Sequence, residues 1–391
     1  MERNEQLINP WDKLPSSNEE REKIWAKNRS FTGDVWFRFS HKPTALAGLI
    51  MIVFMLLFAF VGPYFTPYDY SEQVLELANI GPILSVSEAP TEGNYLYITH
   101  NMKVIEVDSS GKLIRQLKRR QDDAENSVTY FKYDDDGGMV RLDYSEKPTA
   151  ILDADGNRLS ADKRLWNRSY LLGTDNLGRD ILTRLMFGTR ISLLVALVAA
   201  AVNMLIGILY GSISGYIGGN TDSVMMRIVD IINTIPLTLY VILIQVFLGS
   251  GLQSIIIALS SVYWVDMARV VRGQVLSSKQ QEFVMAARTI GSSSNFILLR
   301  HLVPNAMGPI LVTVTMLIPS AIFMEAFMSF IGIGISPPMA SLGTMCNDAT
   351  QALRTSPYQL LMPAIVICLI MFAFNFVGDG LRDALDPKLR K

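Results

Sequence analysis

Cysteine and histidine are almost missing from this chain. Its 391 residues include two cysteines, Cys346 and Cys368, and three histidines, His41, His100 and His301. Neither cysteine has a CxxC partner, which excludes a disulfide framework and leaves both as small apolar fillers. The histidines stand far apart and none sits in an HExxH spacing, so no zinc-hydrolase helix is present. A Gly-x-x-x-x-Gly-Lys-Ser/Thr phosphate loop is also lacking, and with it any ATP site of that kind. Charge is scarce: charged residues make up 18% of the chain and the net charge is −1, so there is no bulk attraction for nucleic acid. Apolar residues fill the space instead. They reach 50% of the chain, with a mean hydropathy of +0.27, too apolar for an ordinary soluble protein.

Charge-free runs set the expected spans, because a bilayer core of roughly 30 Å needs about 20 apolar helical residues. Pro43–Tyr68 gives one span near Thr44–Val61, and Ile191–Thr221 gives a second. Ile231–Val265 is too long for one helix and is broken at Gly249-Ser-Gly251, so it reads as a hairpin of spans three and four. Leu302–Met324, running on through Glu325, is the fifth, and Thr355–Gly378 the sixth. The polar stretch of about 40 residues before the first run is too long for a secretory signal.

Lysine and arginine orient these spans. Arg3, Lys13, Arg21, Lys23, Lys27, Arg29, Arg38 and Lys42 precede the first. Arg269, Arg272, Lys279, Arg288 and Arg300 lie between the fourth and fifth, and Arg382, Lys388, Arg390 and Lys391 follow the sixth. Both termini and the 277–304 connection are therefore expected in the cytoplasm. Residues 65–170 then lie outside. They are polar, and their length exempts them from the positive-inside rule. Tyr95-Leu-Tyr-Ile and Lys103-Val-Ile-Glu-Val carry strand formers, and Val128–Tyr133 with Met139–Tyr144 reads as a hairpin. Asp108-Ser-Ser-Gly111, Asp136-Gly-Gly138 and Asp155-Gly-Asn157 mark turns. In the runs at Asp134–Asp136 and Asp153/Asp155 the glycine comes too early for a calcium loop of the EF-hand kind, and turn formation accounts for them.

The expected organisation is a cytoplasmic tail (1–42), a first transmembrane helix (43–64) and an extracytoplasmic β-rich insertion (65–170). A core with helices two to six follows (171–379), containing the 277–304 connection, and a cytoplasmic end closes the chain (380–391).

That connection is the most informative segment. Ser277–Ile290 has helical periodicity, with Phe283, Ala286, Ala287 and Ile290 on one side. Gly291 permits a turn that a Cβ resists, and Ser292–Ser294 can cap a short second helix with Phe296, Ile297, Leu299 and Leu302 as its apolar face. Pro304 opens the fifth span, where a missing N–H costs little. Two short helices jointed at a glycine make a knob that an external partner can grip; an ordinary amphipathic interfacial loop is the simpler alternative.

The residues resemble the Glu-Ala-Ala coupling loop of ATP-binding-cassette (ABC) importer permeases. Ala286-Ala287, Gly291 and Pro304 hold that loop's positions, while Met285, His301 and Val303 depart from its Glu, Ile and Leu. Glu282 lies on about the same helical face as Met285. Further segments are similar to the dipeptide, oligopeptide and nickel branch: Leu172-Gly-Thr-Asp-Asn-Leu-Gly-Arg-Asp180, Phe187-Gly-Thr-Arg190-Ile-Ser192, Asp222–Asp230, Ala268–Gln274, Glu325–Gly332 and Gly378–Pro387. This resemblance implies an all-α polytopic membrane protein of the type I importer permease fold, with six transmembrane helices and a β-rich insertion between helices 1 and 2 that is no part of the shared pattern.

It also implies a non-catalytic "C"-type subunit beside a homologous second permease chain, two ABC ATPase subunits that bind ATP and Mg, and an extracytoplasmic substrate-binding protein. No cofactor is expected on this chain. The implied cargo is a di- or oligopeptide, with nickel or another small solute as the alternative. Coupling to the ATPases falls to Glu282, Ala286, Ala287, Arg288, Gly291, His301 and Pro304. A multi-pass receptor and an intramembrane enzyme are the competing classes; the second lacks any histidine near an intramembrane Ser, Asp or Glu. Ionisable groups at membrane depth are functional candidates, so Glu325, with Met324, Phe327 and Met328, is a candidate for the translocation path or for a structural hydrogen bond within the bundle. Asp230 and Asp266 are expected to pair with Arg227 and Arg269.

Overall fold

Arginines at membrane depth decide how far the helices run. In the computed structural model, residues 30–385 are described apart from 92, 134–137, 146–148 and 161–162. The basic tail up to residue 29, the Asp134–Asp136 run and the segment from Asp386 onward lie outside the described residues. Five helices are long and apolar enough to cross a membrane, or six if one bent pair counts as a span.

Helix α1 (Phe31–Ser40) is capped by Ser30, whose hydroxyl accepts from Gly33 N. Helix α2 (Pro43–Phe60) starts with its proline in the first turn. Helix α3 (Ile181–Ile217) begins ten residues before the charge-free run that marked it, capped by Asp180, whose carboxylate accepts from Thr183 N at 2.8 Å. Its two arginines do not stop it because both have partners. Arg184 is buried in an ion-pair ring, and Arg190 donates to Ala59 O at 3.0 Å and stacks on Phe60 and Phe187.

The expected third span is a broken one. Helices α4 (Gly219–Thr234) and α5 (Leu237–Leu248) meet at 84°. The cause is Pro236, which holds Ile235 in an extended conformation that a helix cannot continue through. With 12 residues, α5 is about 18 Å long, short of a bilayer core. The hairpin break falls at Gly249-Ser-Gly251 as the sequence indicates, and α6 (Leu252–Val262) runs with little interruption into α7 (Trp264–Ser278). Asp230 meets Arg269 of α7 at 3.0 Å, in place of the neighbouring Arg227 that sequence proximity suggested. Two short helices follow, α8 (Glu282–Thr289) and α9 (Ser294–Ile297), then a π-turn (Leu298–Leu302). Helix α10 (Val303–Phe330), the short α11 (Leu342–Ala349) and α12 (Tyr358–Leu385) complete the bundle.

Helices α3 and α7 pack most closely. Gly207, Gly211 and Gly215 repeat every fourth residue on one face of α3, and a Cβ on any of them would strike Met267, the Ala268 carbonyl or the Arg272 carbonyl. Backbone therefore lies on backbone, and any larger side chain there forces the helices apart.

Among the described residues of 83–166 there are nine antiparallel strands. Their bounds are β1 (Ile83–Glu88), β2 (Asn94–Ile98), β3 (Val104–Asp108), β4 (Leu113–Gln116), β5 (Lys118–Asp123), β6 (Val128–Lys132), β7 (Met139–Asp143), β8 (Ala150–Leu152) and β9 (Lys163–Trp166). One sheet has the order β4-β3-β2-β1-β9 and the other β5-β6-β7-β8. The expected hairpin is β6–β7, in register from Val128↔Asp143 to Lys132↔Met139. Leu96 and Val104 of the first sheet pack on Phe131, Val140, Leu142 and Ile151 of the second. Asp108 and Asp153 close their turns by accepting from backbone N–H groups two and four residues on. At the edge next to the bundle, Tyr68 and Tyr170 stack at 4.7 Å, and burial pushes the Tyr170 phenol up to about 12.

Among the described residues, Glu106 is the one buried acid between the sheets. Burial works against its charge, but Arg115 Nε (2.7 Å), Asn94 Nδ2 (2.8 Å) and the Tyr133 hydroxyl (3.1 Å) donate to it and hold its carboxyl below the ordinary value of 4.5. A depressed folded-state pKa gives stability that is complete above 4.5 and is lost as pH falls through the folded value. Hydrogen exchange over β2–β4, corrected for intrinsic rates, should therefore accelerate on acidification in the wild type. Glu106→Gln should weaken protection at neutral pH by about 1–3 kcal/mol and flatten the acid response.

Candidate coupling interface

Between α7 and α10 the chain makes the knob that the sequence indicates, with corrections to its helices. The expected helix over Ser277–Ile290 is interrupted between Ser278 and Glu282. Lys279 turns back there to donate to the carbonyls of Gly215 (3.0 Å) and Tyr216 (3.4 Å), capping the end of α3 instead of continuing α7. On α8 the inward face is Val284 and Ala287; Phe283, Ala286 and Ile290, expected on one side together with Ala287, are exposed while Ala287 is not. The sequence periodicity could not say which of two adjacent apolar faces would be covered.

Gly291 has φ 88°, and its N–H donates to Arg288 O at 2.9 Å while Ser292 N reaches Ala287 O. A Cβ there would meet open space, so only the backbone conformation demands glycine. Ser293 caps α9 by accepting from Phe296 N at 3.4 Å. Ile297 and Leu302 then turn inward, whereas Phe296 and Leu299, expected on one apolar face with them, point out.

The inner side of the knob is part of the bundle. Val284, Ala287, Ile297 and Leu302 share one buried cluster with Met267, Val271 and Val275 of α7 and Ala306 and Ile310 of α10. His301 packs between Phe283 (6.4 Å) and Phe296 (5.6 Å), joining the two short helices, and Arg288 lies 5.4 Å over the Tyr216 ring at the end of α3. Arg272 grips Asp222 with two nitrogens at 2.5 and 2.6 Å, and the Ser214 hydroxyl donates to the same carboxylate. Ends of α3, α4 and α7 are thereby fixed beneath the knob.

Its outer side is apolar and uncovered. Ile290 is 84% exposed and Leu299 63%, with Phe296, Met285 and Phe283 beside them and Glu282 and Ala286 also exposed. Pro304 sits in the first turn of α10. Of the sequence-selected residues, Ala287 faces inward, His301 is half-buried between the two short helices, and the rest lie on the exposed side or at its edges.

The second group of candidates does not share a face. Glu325 and Met328 are buried in the bundle, Met324 is half-buried, and Phe327 points outward. Both Glu325 oxygens are occupied, by the hydroxyls of Ser192 (2.6 Å) and Ser329 (2.9 Å).

Sequence reading did not anticipate a ring of four charges at the opposite end of α3. Asp175 accepts from Arg179 Nε at 2.7 Å and from Arg184 Nη1. Asp348 accepts from Arg179 Nη2 at 2.9 Å and Arg184 Nη2 at 3.1 Å. The signal lay in the Gly-Thr-Asp-Asn-Leu-Gly-Arg-Asp stretch, but Asp348 comes from the other end of the chain and nothing in the sequence pairs it with Arg184.

A bundle of apolar helices carrying a jointed surface knob defines an ABC importer permease fold. The sequence comparisons agree. Residues 207–391 match the family described as binding-protein-dependent transport system inner membrane component, and residues 30–82 match the N-terminal TM domain of oligopeptide transport permease C. The chain is 35% identical over 392 residues to the dipeptide transport system permease protein DppC of Bacillus subtilis, covering 100% of this chain and 96% of that one. It is 50% identical over 235 residues to the oligopeptide transport system permease protein OppC of B. subtilis (60% of this chain, 77% of that one). It is 50% identical over 221 residues to OppC of Escherichia coli K12 (56% and 73%). The chain belongs to the inner-membrane permease family of binding-protein-dependent transport systems.

Because only the backbone restrains Gly291, Gly291→Ala should cost about 1–2 kcal/mol of local stability, and Gly291→Val more, through its branched Cβ. Hydrogen exchange across 282–302 should rise in both while membrane insertion stays normal. Equal protection in Gly291→Val and wild type would show that the joint tolerates any residue.

Proposed function

We propose that the chain is the permease subunit of an ATP-driven importer of di- and oligopeptides, coupled through the 277–304 knob to ATPase subunits on the cytoplasmic side. The observation that supports this best is the two-sided character of the knob. Its inner residues belong to the core of the helical bundle, and its outer residues leave large apolar side chains uncovered at the end of that bundle. A contiguous apolar patch beside charged residues is a protein-binding surface in physical terms, and one welded to α7 and α10 transmits force into the bundle.

In this reading two ATPase subunits hold ATP and Mg, since this chain has no phosphate loop, and each permease of a homologous pair presents one knob. The chain contributes no catalytic residue of its own. Peptide cargo follows from the relatives, which are named for dipeptide and oligopeptide transport. In this reading, which the basic segments support, both termini and the knob lie in the cytoplasm and the β region outside, at the end of the bundle that a binding protein would approach. Glu325, with both oxygens hydrogen-bonded inside the bundle, holds helices together in this assignment and does not touch cargo.

Replacing Ile290 and Leu299 by aspartate should abolish co-purification of the ATPase subunits and peptide uptake together, because the two are the most exposed apolar side chains of the patch. Glu282→Lys should weaken co-purification less and in a salt-sensitive way, as an exposed charge does. Wild-type uptake by Ile290→Asp/Leu299→Asp would remove the knob from the coupling path.

A further inference from the structure

Helix α11 is held against α3 and α10 by polar contacts at both of its ends. At its N-terminus Ser341 makes a capping box with Thr344, and the Leu342 N–H donates to the Ser192 hydroxyl at 3.4 Å. That hydroxyl in turn donates to Glu325. At its C-terminal end Asp348 receives Arg179 and Arg184. Between these ends Leu342–Cys346 are buried. The approach is close: a Cβ on Gly188 would lie 3.1 Å from the Ser341 carbonyl carbon, and one on Gly343 would strike Ala326 of α10.

The same ring is tied to the β region. Asn79 N donates to Asp175 O at 2.9 Å, Thr174 N donates to Ile80 O at 2.8 Å, and Ile80 leads directly into β1. Tyr358 and Gln359, at the start of α12, donate to Ile80 O, Thr174 O and the Asn79 side chain. Segment 79–80, segment 174–184 and the start of α12 are thus one hydrogen-bonded block, and α11 is joined to that block through Asp348.

Ionic and hydrogen-bonded seams differ from apolar ones in what separation costs. Parting an apolar seam exposes area to water at about 25 cal/mol per Å². Parting an ion-pair ring that already reaches solvent lets water resolvate its charges and offsets much of the loss. Asp348 is the ring member that reaches solvent, with a side chain 33% exposed against 3–6% for the other three. The structure therefore has a natural parting line between α3 with its preceding segment and the α11 helix. On the knob side three glycines, Gly207, Gly211 and Gly215, lay α3 backbone on α7 along three turns beside the Arg272–Asp222 pair, whereas Gly188 alone does so against α11.

We propose that α11 is a gate element at the β-region end of the bundle, latched shut by the Asp175–Arg179–Arg184–Asp348 ring at one end and by Ser192 at the other. It moves away from α3 when the transporter opens on that side. Asp348 is a positioning residue acting through α11, and the β region, fastened to the same ring through Asn79 and Ile80, is placed to bias the latch when it is loaded from outside. This rests on the transport reading for its purpose, though the latch itself is a property of the fold.

Native Cys346, buried on α11, reports its position. With Cys368→Ser as background, the complex with its ATPase subunits is treated in membranes with a membrane-impermeant maleimide, and the rate of Cys346 modification is measured. The resting complex should react slowly. Asp348→Asn and Ser192→Ala should each raise the rate roughly tenfold or more, as expected for weakening one closure of a locally opening element, while Asp348→Glu should stay near wild type. ATPase subunits should co-purify with all three variants. An unchanged rate in Asp348→Asn overturns the proposal. So does acceleration accompanied by loss of ATPase assembly, which would make the ring a support for the whole fold and not a seam. Peptide uptake by wild type is scored separately, and its absence would remove the transport reading while leaving the labelling result to stand or fall alone.

Discussion

Hydrocarbon tolerates a charged or strongly polar group only when a partner pairs or hydrogen-bonds with it, and that constraint organises the helical bundle. Arg184 and Asp175 are buried in a four-membered ring, Asp222 is held by Arg272 and Ser214, and Glu325 by Ser192 and Ser329. Each arrangement joins α3 to another element. Removing one member of a buried pair costs about 3–5 kcal/mol, because the other is left unpaired, whereas an exposed pair such as Lys42–Asp383 is worth about 0–1 kcal/mol. The few charges within the spans therefore matter more to the fold than the many outside them.

The two ends of α3 are held by different means. Toward the knob, Gly207, Gly211 and Gly215 bring its backbone onto α7, and Lys279 and Arg288 close over its last turn. Toward the β region α11 meets it through one glycine, Gly188, through the buried side chains of Leu342 and Met345, and through ionic and hydrogen-bonded contacts at its two ends. Backbone packed over three turns resists relative motion more than a single close approach does. In the proposed transport cycle the knob end is the rigid attachment and the α11 end the partable one.

The sequence made some of this legible and hid the rest for identifiable reasons. Glycine and serine around residue 291 gave the knob its joint and its cap, because φ > 0 and an N-terminal cap are local demands. The β6–β7 hairpin was visible in two strand-forming runs, while β1, β4, β5, β8 and β9 were not. Strand β5, Lys118-Arg-Arg-Gln-Asp-Asp, is exposed along its whole length and has no apolar alternation to read. The start of α3 was placed ten residues late because Arg184 and Arg190 interrupt the apolar run, and their partners Asp175, Asp348 and Ala59 are known only once the chain is folded. The kink at Pro236 was readable, but it was passed over for the longer hydrophobic run around it. Which face of α8 is covered depends on α7 and α10 and had no local signal.

Cysteine-specific cross-linking in a Cys346→Ser/Cys368→Ser background tests the central claim most directly. Ile290→Cys, on the exposed face of the knob, should cross-link to an ATPase subunit in intact cells and block uptake until reductant is added. Ile114→Cys, an exposed position of β4 in the β region, should instead react with an impermeant reagent from outside and form no such cross-link. An ATPase cross-link at Ile114 with external labelling at Ile290 would contradict both the orientation and the coupling role.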